Sequence, residues 1–166
     1  MLLGDHLLVG SYFGSDYASY ITARTNLPGV DFLKDFFPNK TVKAFDLNKS
    51  NTVALDNALH LDCCFQPVGS GQAIIHREGF RQASDYKYLV DLFGMENLFH
   101  ITKQEMYQMM SNVFSIAPDV VVSERNFTRL NDWLRDLGIT VEEIPYAEIC
   151  KQEGLLRCST LPLRRK

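Results

Sequence analysis

Along the chain the apolar positions switch between a period of two and a helical period, and they do so in a similar order three times. In the middle, "LHLDCCF" (59–65) has every second residue apolar and reads as a strand, "PVGSGQ" (67–72) as a turn, and "AIIH" (73–76) as the returning strand. Helical spacing follows from Asp85 to Phe93, with Ser84 as N-cap, Gly94 as stop, and Tyr88, Leu89, Leu92 and Phe93 as the buried stripe. "NLFHI" (97–101) is the next strand. The order returns with "NVFSI" (112–116), a turn at Pro118-Asp119 and "VVVS" (120–123). A helix over 126–138 follows, capped by Asn126, ended by Gly138, and burying Phe127, Leu130, Trp133, Leu134 and Leu137. "ITVEEI" (139–144) closes this unit as a half-buried strand. Between the two units, "TKQE" (102–105) matches a capping box and opens a short helix through "MYQMM", whose methionines are read as core filler.

The first quarter reads as an incomplete version of the same unit. It has a strand at "HLLVG" (6–10), a helix from Pro28 to Phe37 capped by Asn26, and a strand in "VKAFDL" (42–47), then a loop over 48–57. The pattern is therefore a strand-strand-helix-strand module of a little under fifty residues. Repeats of that length imply a ring or array in which each unit covers an apolar face of its neighbour.

Composition narrows the function classes. Of 166 residues, 46% are hydrophobic and 22% charged, with a formal net charge of -3, which describes a globular protein and not a disordered one. A nucleic-acid binder is not expected, because its surface would be basic; the basic ending "LRRK" (163–166) reads as a solvated tail. No apolar stretch has the length of a membrane span. No export signal is read in "MLLGDHLLVG", so a cytoplasmic protein is expected. The cysteines at 63, 64, 150 and 158 form no regular framework and are expected as free thiols.

Candidate chemistry concentrates in "ALHLDCCFQPVG" (58–69). If 59–65 is a strand, Leu59, Leu61, Cys63 and Phe65 face the core, while His60, Asp62 and Cys64 face away. His60 and Asp62 would then stand about 7 Å apart at the backbone, close enough to address one small ligand. A general acid or base beside an anion that holds a cation would use such a pair. Two plainer readings stay open on spacing alone: a solvated strand face, or metal ligation by His60, Asp62 and a cysteine.

"GLLRCSTLPLRR" (154–165) together with "HLDCCFQPVG" (60–69) resembles the pentein superfamily of guanidino-group-modifying enzymes, which includes arginine deiminase and the amidinotransferases. "ITARTN" (21–26) resembles the family's Arg-Thr stretch, and "NVFSI" its Asn-Val-hydrophobic strand. The resemblance implies an α/β-propeller of five ββαβ modules. Only about three are present here, so residues 1–166 are expected as one domain, the C-terminal portion of such a propeller. Upstream acidic residues of the family have no counterpart, since "LLGD" (2–5) carries leucine where the glutamate would stand. Partial disorder or self-association to a homo-oligomer is expected of an open array.

The implied activity is a guanidino C–N hydrolase of the arginine deiminase type, passing through a covalent amidino-thioether. The alternatives are an amidinotransferase, or a truncated fragment that needs its missing modules. In this resemblance Cys158 is the nucleophile and His60 the acid and base. Asp62 holds the guanidinium, Arg24 the substrate carboxylate, and Asn112 lines the pocket. Cys150 is structural, and Arg157 points away from the nucleophile on a strand. No metal and no cofactor are implied, and the partner is a small guanidino substrate, with neither nucleic acid nor membrane.

Overall fold

Each of three short sheets is built the same way: an antiparallel pair, then a third strand added in parallel after a helix. The protein is represented by a computed structural model that describes residues 1–163; of the basic ending read at 163–166, residues 164–166 lie outside the described residues. The first unit comprises β1 (Leu2–Leu3), β2 (His6–Ser11), α1 (Leu27–Phe36) and β3 (Thr41–Asp46). The second comprises β4 (Phe65–Val68), β5 (Gln72–Ile75), α2 (Ala83–Phe93) and β6 (Leu98–His100). After the connecting helix α3 (Lys103–Tyr107), the third runs through β7 (Phe114–Ala117), β8 (Val120–Glu124), α4 (Thr128–Asp136) and β9 (Thr140–Ile144). The first unit is thus not incomplete: a two-residue β1 pairs with β2 through Leu2–Leu7 and Leu3–His6.

Local chemistry explains most boundaries. Asn26 caps α1 by accepting from the Gly29 amide, with Pro28 in the first turn where a missing N–H costs nothing. Thr102 and Glu105 form the expected reciprocal cap on α3. Gly94 ends α2 at φ 81°, a left-handed value that a side chain would resist. Asn126, by contrast, does not cap α4. Its backbone and side-chain amides turn back to the buried Glu124, and the helix begins two residues later.

Two helices bury a polar residue where the apolar stripe alone gave none. In α2, Leu89 is fully buried but Leu92 is 38% exposed, and the buried place goes to Asp85. Asp85 accepts from Lys43 Nζ (2.6 Å) and from the Asp46 amide (2.8 Å), both in β3 of the preceding unit. In α4, Asn131 is buried while Leu137 is not. A single apolar stripe describes a helix packed on one apolar face, and these helices are also clasped by a polar neighbour.

The same aromatic position recurs at the joins. The sixth residue of α2 is Tyr88, set 6.0 Å from Phe45 of β3, with Lys43 over its ring. The sixth residue of α4 is Trp133, set 5.0 Å from Phe99 of β6, with Arg129 over Phe99. Each helix therefore presses an aromatic onto the third strand of the unit before it. The sixth residue of α1 is Phe32, and among the described residues no such strand lies against it: it is 63% exposed and stacks on Phe36, which is 65% exposed. The core is otherwise one continuous cluster running from Leu8 to Leu155 and Leu156.

This register gives a direct contrast in stability. Trp133→Ala should cost about 3 kcal/mol, the low end for an aromatic removed from a packed join, whereas Phe32→Ala should stay within about 0.5 kcal/mol of the parent. Urea denaturation of both variants measures the difference, and equal losses would show that the recurring aromatic does not carry the joins.

Candidate active site

The segment 60–64 is not a strand. His60 is extended, Leu61–Cys63 form a single 3-10 turn, and the strand starts only at Phe65. The turn buries Leu61, Cys63 and Cys64, so the expected alternation of Cys63 inward and Cys64 outward fails. Burying three apolar side chains in four positions needs turn geometry, and the turn leaves His60 and Asp62 as the side chains free to meet a ligand. Burial pushes the thiols of Cys63 and Cys64 far up, which leaves them as inert core residues.

Cys158 also lies in a turn. Leu155 and Leu156 peg the segment into the core, the Ser159 amide donates to the Leu155 carbonyl (3.1 Å), and the hydroxyls of Ser159 and Thr160 close the same turn. Helical geometry separates neighbours by about 100° instead of 180°, so Arg157 does not point away: it lines the same cavity as His60 and Asp62.

Two adjacent residues hold these turns together. Ser111 Oγ donates to the carbonyls of Asp62 (3.0 Å) and Cys63 (2.6 Å). Asn112, fully buried, accepts at Oδ1 from the amides of Leu155 (3.0 Å) and Cys158 (3.1 Å), donates from Nδ2 to Cys158 Sγ (3.2 Å), and takes the Arg157 amide on its own carbonyl. Asn112 is therefore behind the cysteine, as a clamp, and is not among the residues lining the cavity.

The result is a cluster in which the ligand atoms of His60, Asp62 and Cys158 all lie within 4.8 Å of one another. Among the described residues, Asp62 Oδ1 is buried and has no hydrogen-bond partner. Beside it opens a cavity of about 410 Å3 lined by Arg24, Lys49, His60, Asp62 and Arg157, with Leu33 and Phe37 on its apolar side. Burial lowers the His60 imidazole below its usual value; Lys49 and Arg24 push the same way and Asp62 opposes them. Burial first, then Asp62, raises the Cys158 thiol, against the Asn112 hydrogen bond. The resting pair is thus a neutral thiol and a neutral imidazole. The three donors would also suit a thiophilic divalent ion in a three-ligand site.

Of the residues singled out in the sequence, His60, Asp62 and Arg24 line this cavity, while Cys158 is not in its wall and stands within 4.8 Å of the ligand atoms of His60 and Asp62. Lys49, Ser111 and Arg157 were not anticipated. Ser111 had a faint signal, being one of two adjacent polar residues in the apolar run "MMSNVF"; the contacts of Lys49 and Arg157 are too remote in sequence to read.

The family model for arginine deiminase matches residues 86–165. Among curated proteins, the uncharacterized protein YkgA of Bacillus subtilis is 27% identical over 146 residues, 87% of this chain and 47% of YkgA. Arginine deiminase of Latilactobacillus sakei is 39% identical over 67 residues, 40% of this chain and 16% of that enzyme. The chain spans about half the length of YkgA, and 43% of the Caenorhabditis elegans protein ZK1307.1. Among solved structures, the N-terminal domain of ArgZ, a cyanobacterial arginine dihydrolase, superimposes with a TM-score of 0.73 at 19% identity, covering 93% of this chain and 50% of that one. The amidinotransferase SxtG of Microseira wollei gives 0.71 at 14% identity, over 99% of this chain and 43% of its own. No helix among the described residues is long and apolar enough to cross a membrane. Sequence and fold agree: residues 86–165 match the arginine deiminase model, and the chain has the fold of the ArgZ N-terminal domain and of SxtG.

Proposed function

We propose that the chain carries the nucleophile half of a guanidino-group C–N hydrolase of the arginine deiminase type. The observation that carries this reading is the unpartnered, buried Asp62 Oδ1 beside the His60 ring and the Cys158 sulfur. A carboxylate oxygen buried without a donor is costly, and a planar cation with paired N–H donors relieves that cost while presenting its central carbon to the sulfur. Arg24 and Arg157 along the cavity suit a carboxylate at the other end of the substrate.

The protonation states favour substrate-assisted activation. In the empty site the thiol stays protonated, because burial and Asp62 both raise it. A guanidinium seated on Asp62 cancels that field and lowers the thiol. Neutral His60 accepts the thiol proton as Cys158 Sγ bonds to the guanidinium carbon. The proton then goes to the departing nitrogen, the C–N bond breaks, and ammonia leaves an amidino-thioether. Water, giving a proton to His60, adds to that carbon, the C–S bond breaks, and a ureido product departs with the thiolate restored. His60 and Cys158 are exposed on one side, so an amine could enter in place of water; this supports amidino transfer as the second reading. A chain half the length of its relatives also supports testing a longer reading frame alongside it.

Cys158→Ala and His60→Ala should each lower conversion of arginine to citrulline by about a thousandfold or more, measured on this chain and on any longer frame containing it. Undiminished turnover by Cys158→Ala would sink the mechanism. Ornithine amidinated from a donor, without citrulline, would select transfer.

Labelling tests the site without turnover. Chloroacetamidine, a cationic guanidinium mimic, should modify Cys158 at least about tenfold faster than Cys63, Cys64 or Cys150. Because the free thiol is raised, its reaction with neutral iodoacetamide should be slow at pH 7 and climb as pH increases; a rate already at plateau at pH 7 would contradict the neutral resting pair.

Asn112→Ala leaves two buried amides without an acceptor and should cost about 2–3 kcal/mol in urea melts. Asn112→Asp keeps both acceptor bonds but sets a negative charge against the sulfur. It should fold, and move the iodoacetamide profile of Cys158 to higher pH; an unmoved profile would argue against contact between Asn112 and the thiol.

A further inference from the structure

The geometry assigns Lys49 as a positioning residue whose ammonium fastens the chain entering His60 and sets a fixed positive charge against the pull of Asp62 on that imidazole. This inference rests on the reading of His60 as the proton carrier. Lys49 Nζ donates to the carbonyls of Ala58 and Leu59, each at 2.7 Å, the two residues directly before His60. The loop behind it is fixed independently. The Ala58 amide donates to the Asn48 carbonyl, the Asn48 amide donates to the Gly79 carbonyl, and the Asn48 side chain donates to the Glu78 carbonyl. The ammonium is thus delivered from the end of the first unit onto the entry to the 60–63 turn of the second.

Its surroundings are unusual for a lysine. Among the described residues it has no carboxylate at ion-pair distance, only backbone carbonyls, and it lines the same cavity as Arg24, His60, Asp62 and Arg157. A lysine serving as a surface cation or as one half of a structural ion pair would not be placed so. Burial brings its ammonium down to about 8, with Arg24 pushing the same way and Cys63 and Cys64 the other. At neutral pH it is still mostly charged, and that charge acts on His60 together with Arg24 and against Asp62. Two carbonyl bonds fix where the charge sits, so the effect on His60 is geometric and not the average of a mobile side chain.

The functional consequence follows from proton flow. The first step needs an imidazole able to accept the thiol proton, and Asp62, a neighbour in the same turn, works against this by favouring imidazolium. Lys49 offsets Asp62 by its charge, with two of its three N–H donors held by carbonyls.

The test uses NMR titration of the imidazole carbon-bound protons in the full chain, with His60 assigned among His6, His60, His76 and His100 by a His60→Gln variant. Lys49→Met keeps the reach and removes the charge and both hydrogen bonds; the His60 midpoint should rise by about half a pH unit or more. Lys49→Arg should restore it. A purely structural lysine would lower the melting temperature in Lys49→Met and leave the His60 midpoint where it was, and that result overturns the assignment. If Lys49→Met does not fold, the parent protein decides the matter: the His60 resonance should show a second inflection that coincides with the titration of Lys49 followed at its own ε-methylene resonance, and a His60 signal that does not move as Lys49 titrates overturns it. Neither measurement needs turnover. The His60 midpoint can be read in a chain that makes no citrulline, and an unmoved midpoint leaves the hydrolase reading intact, so the two failures are distinguishable.

Discussion

Ser111 and Asn112 are the constraint on which the site depends. One side chain ties the turn of His60 and Asp62, the next ties the turn of Cys158, and the two turns lie far apart in sequence. The pair is aimed by the residue before it but one: Met109 adopts φ 64°, a left-handed conformation that costs a side chain about 1 kcal/mol or more. Met109 is nonetheless buried, together with Met106 and Met110. Packing of three flexible thioethers therefore holds a strained bend, and the bend ends the short helix α3 and swings two polar residues into the interior. The tolerance of methionine for irregular space makes it suited to that place.

The modular frame was legible because it rests on local signals. The caps at Asn26 and Thr102, the stop at Gly94, the short apolar runs at β5 and β8 and the alternation at β9 each act within a few residues. What the frame needed beyond these was invisible to periodicity. Asp85 is buried because Lys43 and the Asp46 amide wait for it across a join, and no count of apolar positions within α2 contains that information. The aromatic at the sixth position of α2 and of α4 shows how the repeat is assembled, each of the two leaning on the third strand of the unit before it. Phe32 obeys the sequence rule without its partner, and so the repeat is more regular in its residues than in its contacts.

The site was legible through its motifs and misread in its geometry. The alternation argument put His60 and Asp62 on one face of a strand; the true reason they meet is that a 3-10 turn buries Leu61, Cys63 and Cys64 and leaves the other two outside. The same pair emerges from both geometries, but only the turn explains why both cysteines are inert. The expectation for Arg157 failed for the same cause, a strand assumed where the backbone turns. Asn112 shows a third kind of gap. Its strand position suggested a pocket residue, whereas its amide is spent on backbone groups that come from more than forty residues later.

Charge placement gives the cavity a direction. Among the described residues, Arg24, Lys49 and Arg157 line it together with a single carboxylate, Asp62. A cationic group entering such a space is repelled over most of the wall and attracted at one point, where an oxygen lacks a donor. An anionic group is drawn the other way. Under the proposed function, a molecule carrying both charges is oriented by this wall, with its cation toward Asp62. Of these three side-chain cations, Lys49 has two of its three N–H donors bound to backbone carbonyls and is held as a fixed charge, while the two guanidinium groups lie along the wall. The division is chemical as well as spatial: a compact ammonium suits a fixed point charge, and a planar fork suits recognition of a carboxylate.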